Sequence, residues 1–470
     1  MRVHLSGICG TAMASLAGLL REQGHAVAGS DQDIYPPMST QLAALGIEIR
    51  SPYADANVSA EADLVVIGNA LSRGNPEVEV VLDRKQRMTS LPALVGETFL
   101  QERTSLVVAG THGKTTTTSL LAWLLDRGGL DPSFLVGGVP VDFGKSYRLG
   151  RGRPFVIEGD EYDCAFFDKR PKFVHYRPDV AVIGNVEYDH ADIYPDLAAV
   201  QTAFLRLFAV IPRRGVLIAG VESPALVELL PRAPCRVETF GLAAGADWRA
   251  VDVRRSSGGT RFRLLVRGRD EGEFSLGLLG DYNVRNALAA LGAAQAAGLT
   301  PAACRRALAD FKGVKRRLEL RGAVAGVTVF DDFAHHPTAV RATLDALRGT
   351  REAPGTDPGA PAGRLVAVFE PRSYTSRTRV FQEAFAQSFA AADAVLISAA
   401  HLPGKVPENE RLSEVELVDG IRARGTRADF VPEVDAIVAR LVGELRQGDR
   451  VVILSNGGFG GLHDKLLAGL

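Results

Sequence analysis

Three times along the chain a short β-rich run leads into a glycine-bearing turn and then into an amphipathic stretch of helical period. Arg2–Ser6 leads through Gly7-Ile8-Cys9-Gly10 to a helix ending near Gln23. Residues 105–109 lead through Gly110, Thr111, His112 and Gly113 to a helix from Lys114 to about Asp126. Residues 450–455 lead through NGGFGG to a short helix over 462–467. Strands that alternate with helices of this length need crossover connections, and these imply parallel sheets covered on both faces. Ligands in such sheets sit beyond the carboxyl ends of the strands, where all three turns fall. The class is α/β, with three candidate binding edges.

A chain of 470 residues corresponds to about three domains at roughly 150 residues each. The second turn unit must open a new sheet, so the expected domains are 1–103, 104–314 and 315–470. Within the first, residues 26–29 and 64–68 read as further strands. Within the second, residues 247–280 alternate (Phe262, Leu264, Val266) around an SSGG turn. They read as β-hairpins inserted before a helix at 286–297. The third should contain strands at 327–330, 364–369, Ala394–Ile397 and 451–454. APGTDPGAPAG (353–363) has no apolar periodicity and reads as a flexible surface loop.

Composition removes several classes. Lys plus Arg number 54 against 55 Asp plus Glu, so a generally cationic nucleic-acid or membrane binder is not expected. Cys9, Cys164, Cys235 and Cys304 form no CxxC pair, which indicates neither a zinc site nor a disulfide framework and fits a reducing, cytoplasmic setting. The start MRVHLSGICGTAM has no long apolar core behind a basic segment, so no signal peptide is expected. No apolar run is long enough for a membrane span.

The sharpest chemistry lies at Gly110-Thr111-His112-Gly113-Lys114-Thr115-Thr116-Thr117. Between a strand and a helix, backbone N–H groups converge on an anion and the helix N-terminus adds its dipole. Lys114 supplies a point charge for β/γ-phosphates, and Thr115 a hydroxyl where Mg²⁺ would sit. The usual first glycine of such a loop is Val108 here, with Gly110 two residues later. Two acidic clusters follow presumed strands: Glu158-Gly159-Asp160-Glu161-Tyr162-Asp163 and Asn185-Val186-Glu187-Tyr188-Asp189-His190. Both would open onto the edge that carries the phosphate loop, with donors suited to Mg²⁺. Singly, each is also compatible with a solvated acidic loop.

The ordered set of motifs GTHGKTTTT, EGDEYD, NVEYDHADIY, GDYNVRNALAAL, KRRLELRG and FDDFAHHPTAV resembles the Mur ligase family, three-domain enzymes that use ATP to join an amino acid or peptide to a carboxylate. The resemblance implies a Rossmann-like N-terminal domain, a P-loop central ATPase domain and a Rossmann-like C-terminal domain. HLSGICGTAM, YPPMST, EYDCAFFDKRPKFVHY, FEPRS and LSNGGFGGLHDKL are similar to the peptidoglycan-recycling branch. That branch joins the lactyl carboxylate of UDP-N-acetylmuramate to L-Ala-γ-D-Glu-meso-diaminopimelate. By resemblance, Gly110, Thr111, His112, Gly113, Lys114, Thr115 and Thr116 would hold ATP, and Glu158 would bridge two Mg²⁺ ions. His190 would ligate the second ion, with Thr115 on the first. Asn283 and Asn286 would reach the adenine side, Arg317 the γ-phosphate and Asp332 the ribose, with His335 near the reacting groups. Tyr282 stands where the family usually has His, while Asn283 and Asn286 keep the family's spacing. Residues 191–212 contain no lysine, which implies the subgroup without a carbamoylated lysine.

In the first domain Cys9 and Ala12 occupy the second and third glycine positions of the dinucleotide fingerprint, so NAD is not favoured. The resemblance implies a UDP-sugar grip: Gly7, Gly10 and Thr11 on the diphosphate, Ser30 and Asp31 near the uridine, and Asn69 and Ala70 completing it. A tripeptide brings three carboxylates, and Arg suits carboxylates by its forked geometry. Arg372, Ser373 and Arg377, with the turn at Asn456 and Gly457, are the peptide-binding candidates, and Arg379 is a further cation nearby. An L-alanine-adding ligase is the alternative, folylpolyglutamate synthetase a more distant one, and a nucleotide-binding module without turnover the alternative of another class. Oligomeric state stays open.

Overall fold

The computed structural model describes residues 1–32, 34, 38–350, 363–402, 404 and 406–470. The proline- and glycine-rich stretch 353–362 and Tyr35, Pro36 and Pro37 of YPPMST lie outside the described residues. In the N-terminal unit five parallel strands lie in the order Ile49–Arg50, Ala26–Ser30, Arg2–Ser6, Leu64–Ile67, Met88–Ser90. The chain steps one way from Arg2–Ser6 to Ala26–Ser30, then reverses to Leu64–Ile67. That reversal opens a crevice at the end of Arg2–Ser6, and the turns after Ser6 and Ile67 flank it.

The central sheet has ten strands. Thr104–Ala109 lies between Pro154–Gly159 and Val180–Ile183, all parallel. Leu106, Val107 and Val108 are buried on both faces, as a helix-covered parallel sheet requires. The meander Trp248–Ser256, Gly259–Val266, Arg269–Leu276 is antiparallel. It is not a separate insert, because Trp248–Ser256 pairs in parallel with Arg236–Gly241 and so extends the central sheet. The helix expected from residue 286 starts at Asp281, five residues earlier, directly after Gly280 at φ 89°. Asn283 and Asn286 therefore occupy its first two turns. Its small residues Ala287, Ala290 and Ala294 are buried, and the helix packs against Lys114–Arg127.

The C-terminal sheet runs Glu319–Val324, Val327–Asp332, Arg450–Leu454, Leu365–Phe369, Ala394–Ile397, Arg427–Phe430. Only the first strand is antiparallel to its neighbour. Glu319–Val324 and Arg427–Phe430 escape the sequence reading because exposed, charged residues interrupt their apolar pattern.

The first two units share one apolar core that includes Leu16 and Leu20 of the first and Phe155 and Tyr147 of the second. The Tyr147 ring lies where a Cβ on Gly18 would stand, 2.0 Å from its Cζ, and Ser15 Oγ meets Ser146 Oγ at 2.7 Å. No helix among the described residues is long and apolar enough to cross a membrane.

Candidate active site

The central glycine turn works because two residues lack side chains. At Gly110, φ is 126° and a Cβ would come within 3.0 Å of Gly184 N. At Gly113, φ is 83° and a Cβ would lie 2.5 Å from Asn286 Oδ1, so the turn packs against the helix that carries the asparagine pair. Lys114 Nζ donates to Gly110 O at 2.8 Å and to both Glu161 carboxylate oxygens at 3.0 and 2.9 Å. Burial would lower its pKa, but Glu161 and Asp160 outweigh burial and hold it above the ordinary lysine value. Lys114 is a fixed cation at the carboxyl edge of the sheet. Val108, where a longer loop would have glycine, is instead the buried penultimate strand residue.

Glu158 is a strand residue, not a loop residue: it lies in Pro154–Gly159, opposite Val108. Its Oε1 accepts from Thr115 Oγ1 at 2.7 Å, and its Oε2 from the Gly137 N–H. Burial pushes its carboxyl above the usual range, against those two bonds and the charges of Lys114 and Arg317. His190 has φ 57°, a left-handed conformation uncommon outside glycine. Its Nε2 lies 3.0 Å from Glu161 Oε1. Burial alone would lower this imidazole, but the Glu161 bond and charge raise it. A hydroxyl beside a half-buried carboxylate whose charge burial disfavours, with an imidazole and two more acids on the same edge, is a donor set that fits Mg²⁺. Two other groupings, His112–Glu187–His336 and Cys164–Asp168–His175, also bring ligating atoms together. Their carboxylates are already engaged, Glu187 by His112 and Thr338 and Asp168 by the Arg170 fork.

The C-terminal unit closes the site from the opposite side. A cavity of about 790 Å³ lies between the units. Thr111, His112, Gly113, Lys114, Thr115, Thr116, Glu158, His190, Asn283, Asn286, Arg317, Asp332, His335, Ser373 and Asn456 all line it. Ala12 and Leu91 bring the first unit to its rim. Arg317 Nη2 donates to Thr115 Oγ1 at 3.2 Å, and its guanidinium lies 4.8 Å from the Phe333 ring centre. Asp332, expected on a ribose, accepts from Leu318 N–H at 2.6 Å and from Ala334 N–H at 2.8 Å. Its carboxylate shapes the connection on which Arg317 sits. Burial lowers the His335 imidazole; with Nδ1 on Phe333 O at 3.0 Å, Nε2 is left as its other ring nitrogen. Tyr282, in place of the family's His, is half-buried and lines the cavity together with Thr343 of the C-terminal unit.

Several contacts in this seam are made by residues that the sequence reading did not single out. Thr338 Oγ1 donates to Glu187 Oε2 at 2.7 Å, and Thr375 Oγ1 to Asp189 Oδ1 at 2.9 Å. His336 Nε2 meets Tyr188 O at 3.2 Å. Glu161 is the third residue after Glu158 in one motif, yet it is the group that contacts both Lys114 and His190.

Other expected residues fall differently. Arg377 is only 8% exposed and donates to the His401 and Leu402 carbonyls at 3.0 and 2.8 Å. Its guanidinium is taken up by backbone carbonyls and braces a loop, so its expected role as a carboxylate grip is not met. Arg379 turns to Glu416. Arg372 lies over Gly457, where a Cβ would stand 1.9 Å from its Nε, and reaches Glu370 at 3.4 Å. In the first unit Gly7, Gly10, Thr11, Asn69 and Ala70 sit at the crevice, and all but the partly buried Gly7 are exposed. Asp31 accepts from Cys9 N–H and Tyr53 Oη at 2.8 and 3.0 Å. Ser30 corrects the expected pair: it is fully buried and donates to Glu77 Oε2 at 2.5 Å, because its side chain faces the helix Pro76–Asp83 that carries Glu77.

The chain matches known proteins along nearly its whole length. Residues 2–103 match the description "Mur ligase family, catalytic domain", 108–294 "Mur ligase middle domain" and 316–457 "Mur ligase, glutamate ligase domain". The chain is 43% identical to the UDP-N-acetylmuramate–L-alanyl-gamma-D-glutamyl-meso-2,6-diaminoheptandioate ligase of Escherichia coli, over 100% of this chain and 98% of that one. It is 37% identical to the UDP-N-acetylmuramate–L-alanine ligase of Rubrobacter xylanophilus over all of both chains. The crystal structure of a murein peptide ligase from Psychrobacter arcticus superposes with a TM-score of 0.73 at 39% identity, over 100% of this chain and 98% of that one. With matches of this extent running in order through the whole chain, and a phosphate loop facing an arginine from the third unit, the protein belongs to the Mur ligase family.

Proposed function

We propose that this chain is an ATP-dependent amide ligase. It joins the lactyl carboxylate of UDP-N-acetylmuramate to the free amine of L-Ala-γ-D-Glu-meso-diaminopimelate through an acyl phosphate, recycling cell-wall peptide in the cytoplasm. One observation carries the reading: Lys114, Glu158 and His190 of the central unit and Arg317 and His335 of the C-terminal unit line one cavity. The full-length identity to the Escherichia coli ligase supports the peptide as acceptor, and four free cysteines suit a reducing compartment.

The reaction brings an anionic carboxylate against a polyphosphate. At an effective dielectric near 20, two unit charges about 4 Å apart interact by about 4 kcal/mol. Lys114 and Arg317 offset repulsion of that order from opposite sides and hold the transferring phosphoryl group. Bound Mg²⁺, held by Thr115, Glu158 and His190, would supply further charge neutralisation. His335, kept neutral by burial, is placed to accept the proton that the attacking amine must lose. Gly7, Gly10, Asn69 and Ala70 would hold the uridine diphosphate end. Arg372, with Ser373 and Asn456 beside it, would receive the peptide carboxylates.

Phosphate release tests this directly, with UDP-N-acetylmuramate and Mg-ATP present and the tripeptide or L-alanine offered in turn. Release that depends on the tripeptide is expected. Release with L-alanine alone would assign the alanine-adding activity instead, and release with neither would favour a nucleotide-binding module.

A further inference from the structure

We propose that Glu77 is the positioning residue of the N-terminal grip: its buried carboxylate ties together the ends of the two strands that carry Gly7 and Asp31, and thereby sets the affinity for the uridine diphosphate end of the sugar substrate. The inference rests on reading that unit as the nucleotide-sugar site.

Glu77 is 0% exposed, and among the described residues its side-chain partners are three uncharged donors and one histidine rather than a lysine or arginine. Its Oε2 accepts from Ser6 Oγ at 2.6 Å and Ser30 Oγ at 2.5 Å, and lies 3.4 Å from His4 Nε2. Its Oε1 accepts from Asn57 Nδ2 at 2.8 Å. Burial pushes the carboxyl up, but these bonds outweigh it and hold it at about 2, so it is ionised at neutral pH. The carboxylate is fixed from its own side as well. Glu77 lies in the first turn of Pro76–Asp83, whose cap residue Asn75 accepts the Glu77 N–H at 2.9 Å.

A sheet seeking only stability does better with an apolar side chain at such a point. What the carboxylate adds is a common reference for segments far apart in sequence. Ser6 precedes the glycine turn, and its carbonyl accepts the Gly68 N–H at 2.9 Å. The Ser30 carbonyl accepts the Gly7 and Ile8 N–H groups at 2.8 and 3.1 Å. Asp31, next in the chain, takes the Cys9 N–H and the Tyr53 hydroxyl. Moving either serine therefore moves the glycine turn, Asp31 and the turn after Gly68 together. Among the described residues, the side-chain hydrogen bonds of Lys114 and Arg317 go to Gly110, Thr111, Glu161 and Thr115, not to this network.

The test uses full-length Glu77→Gln, which keeps the side-chain volume but replaces one acceptor oxygen by a donor. Calorimetry gives its Kd for UDP-N-acetylmuramate without ATP, and steady-state kinetics the KM of all three substrates. The expected result is a rise of about tenfold in the sugar-nucleotide Kd and KM, with ATP and peptide KM and kcat within about twofold. Ser30→Ala should give a smaller rise of the same pattern. A folded Glu77→Gln that binds the sugar nucleotide as wild type does, or a parallel rise in all three KM values, overturns the proposal. Should Glu77→Gln not fold, an unchanged sugar-nucleotide Kd in Ser30→Ala overturns it alone. Failure of the underlying reading looks different: the wild-type chain would then bind no UDP-N-acetylmuramate, and both would fall.

Discussion

Lys114 and His190 meet at one carboxylate, Glu161, so three motifs far apart in sequence converge on a single charge at the phosphate edge. His336 works in the opposite sense. It caps the helix Pro337–Arg348 through Nδ1 while Nε2 faces Tyr188 O, an arrangement that uses the neutral ring. Burial, then the neighbouring His112, lower its pKa from 6.5 to about 4. Because the folded value lies below the unfolded one, its contribution is complete above about pH 6.5 and is lost as pH falls toward 4. Between about pH 7 and pH 5 this loss is about 2 kcal/mol. His336→Asn keeps a capping side chain without the titration. Denaturant unfolding at the two pH values should show wild type losing about 2 kcal/mol more than the variant; equal losses would contradict the assignment.

At the scale of elements, the turn after Arg450–Leu454 decides how Arg372 is presented. Arg372 lies flat over Gly457, and a methyl group there would collide with its guanidinium stem. Gly457→Ala should therefore copy Arg372→Ala, raising the tripeptide KM about tenfold or more while leaving the ATP KM within about twofold. Equal effects on both substrates would remove Arg372 from the peptide site. Elements of this kind show what a sequence discloses. The phosphate loop is legible because glycine, lysine and threonine at fixed spacing have few other uses between a strand and a helix. Arg377 is not, because a guanidinium that braces two carbonyls is written with the same letter as one that grips a substrate. Ser30 fails for a related reason: alternation along Ala26–Ser30 places its side chain, and only the register with Arg2–Ser6 shows that it meets Glu77. Neither could the spacing of Pro76–Asp83 reveal that Glu77 points inward, since a Glu in a first helical turn is common at surfaces.

Across the whole molecule the two seams differ in kind. The first and central units share an apolar core and should move as one. Among the described residues the central and C-terminal units share no such core but meet through side-chain hydrogen bonds, Arg317 to Thr115, Thr338 to Glu187 and Thr375 to Asp189, and through ring contacts of His112 with His336 and Tyr188 with Phe381. A seam of this kind suits opening and closing. Solution scattering should show the chain becoming more compact on adding an ATP analogue with UDP-N-acetylmuramate, and less so in Thr375→Val. Superimposable profiles with and without ligands would rule out closure.

In the proposed reaction ATP activates the lactyl carboxylate as an acyl phosphate before the peptide amine attacks. Heavy-oxygen label in that carboxylate exposes this step, by mass analysis of the phosphate released during ligation. One labelled oxygen should pass to each phosphate for every amide formed. Amide formation with unlabelled phosphate would mean that no acyl phosphate lies on the path.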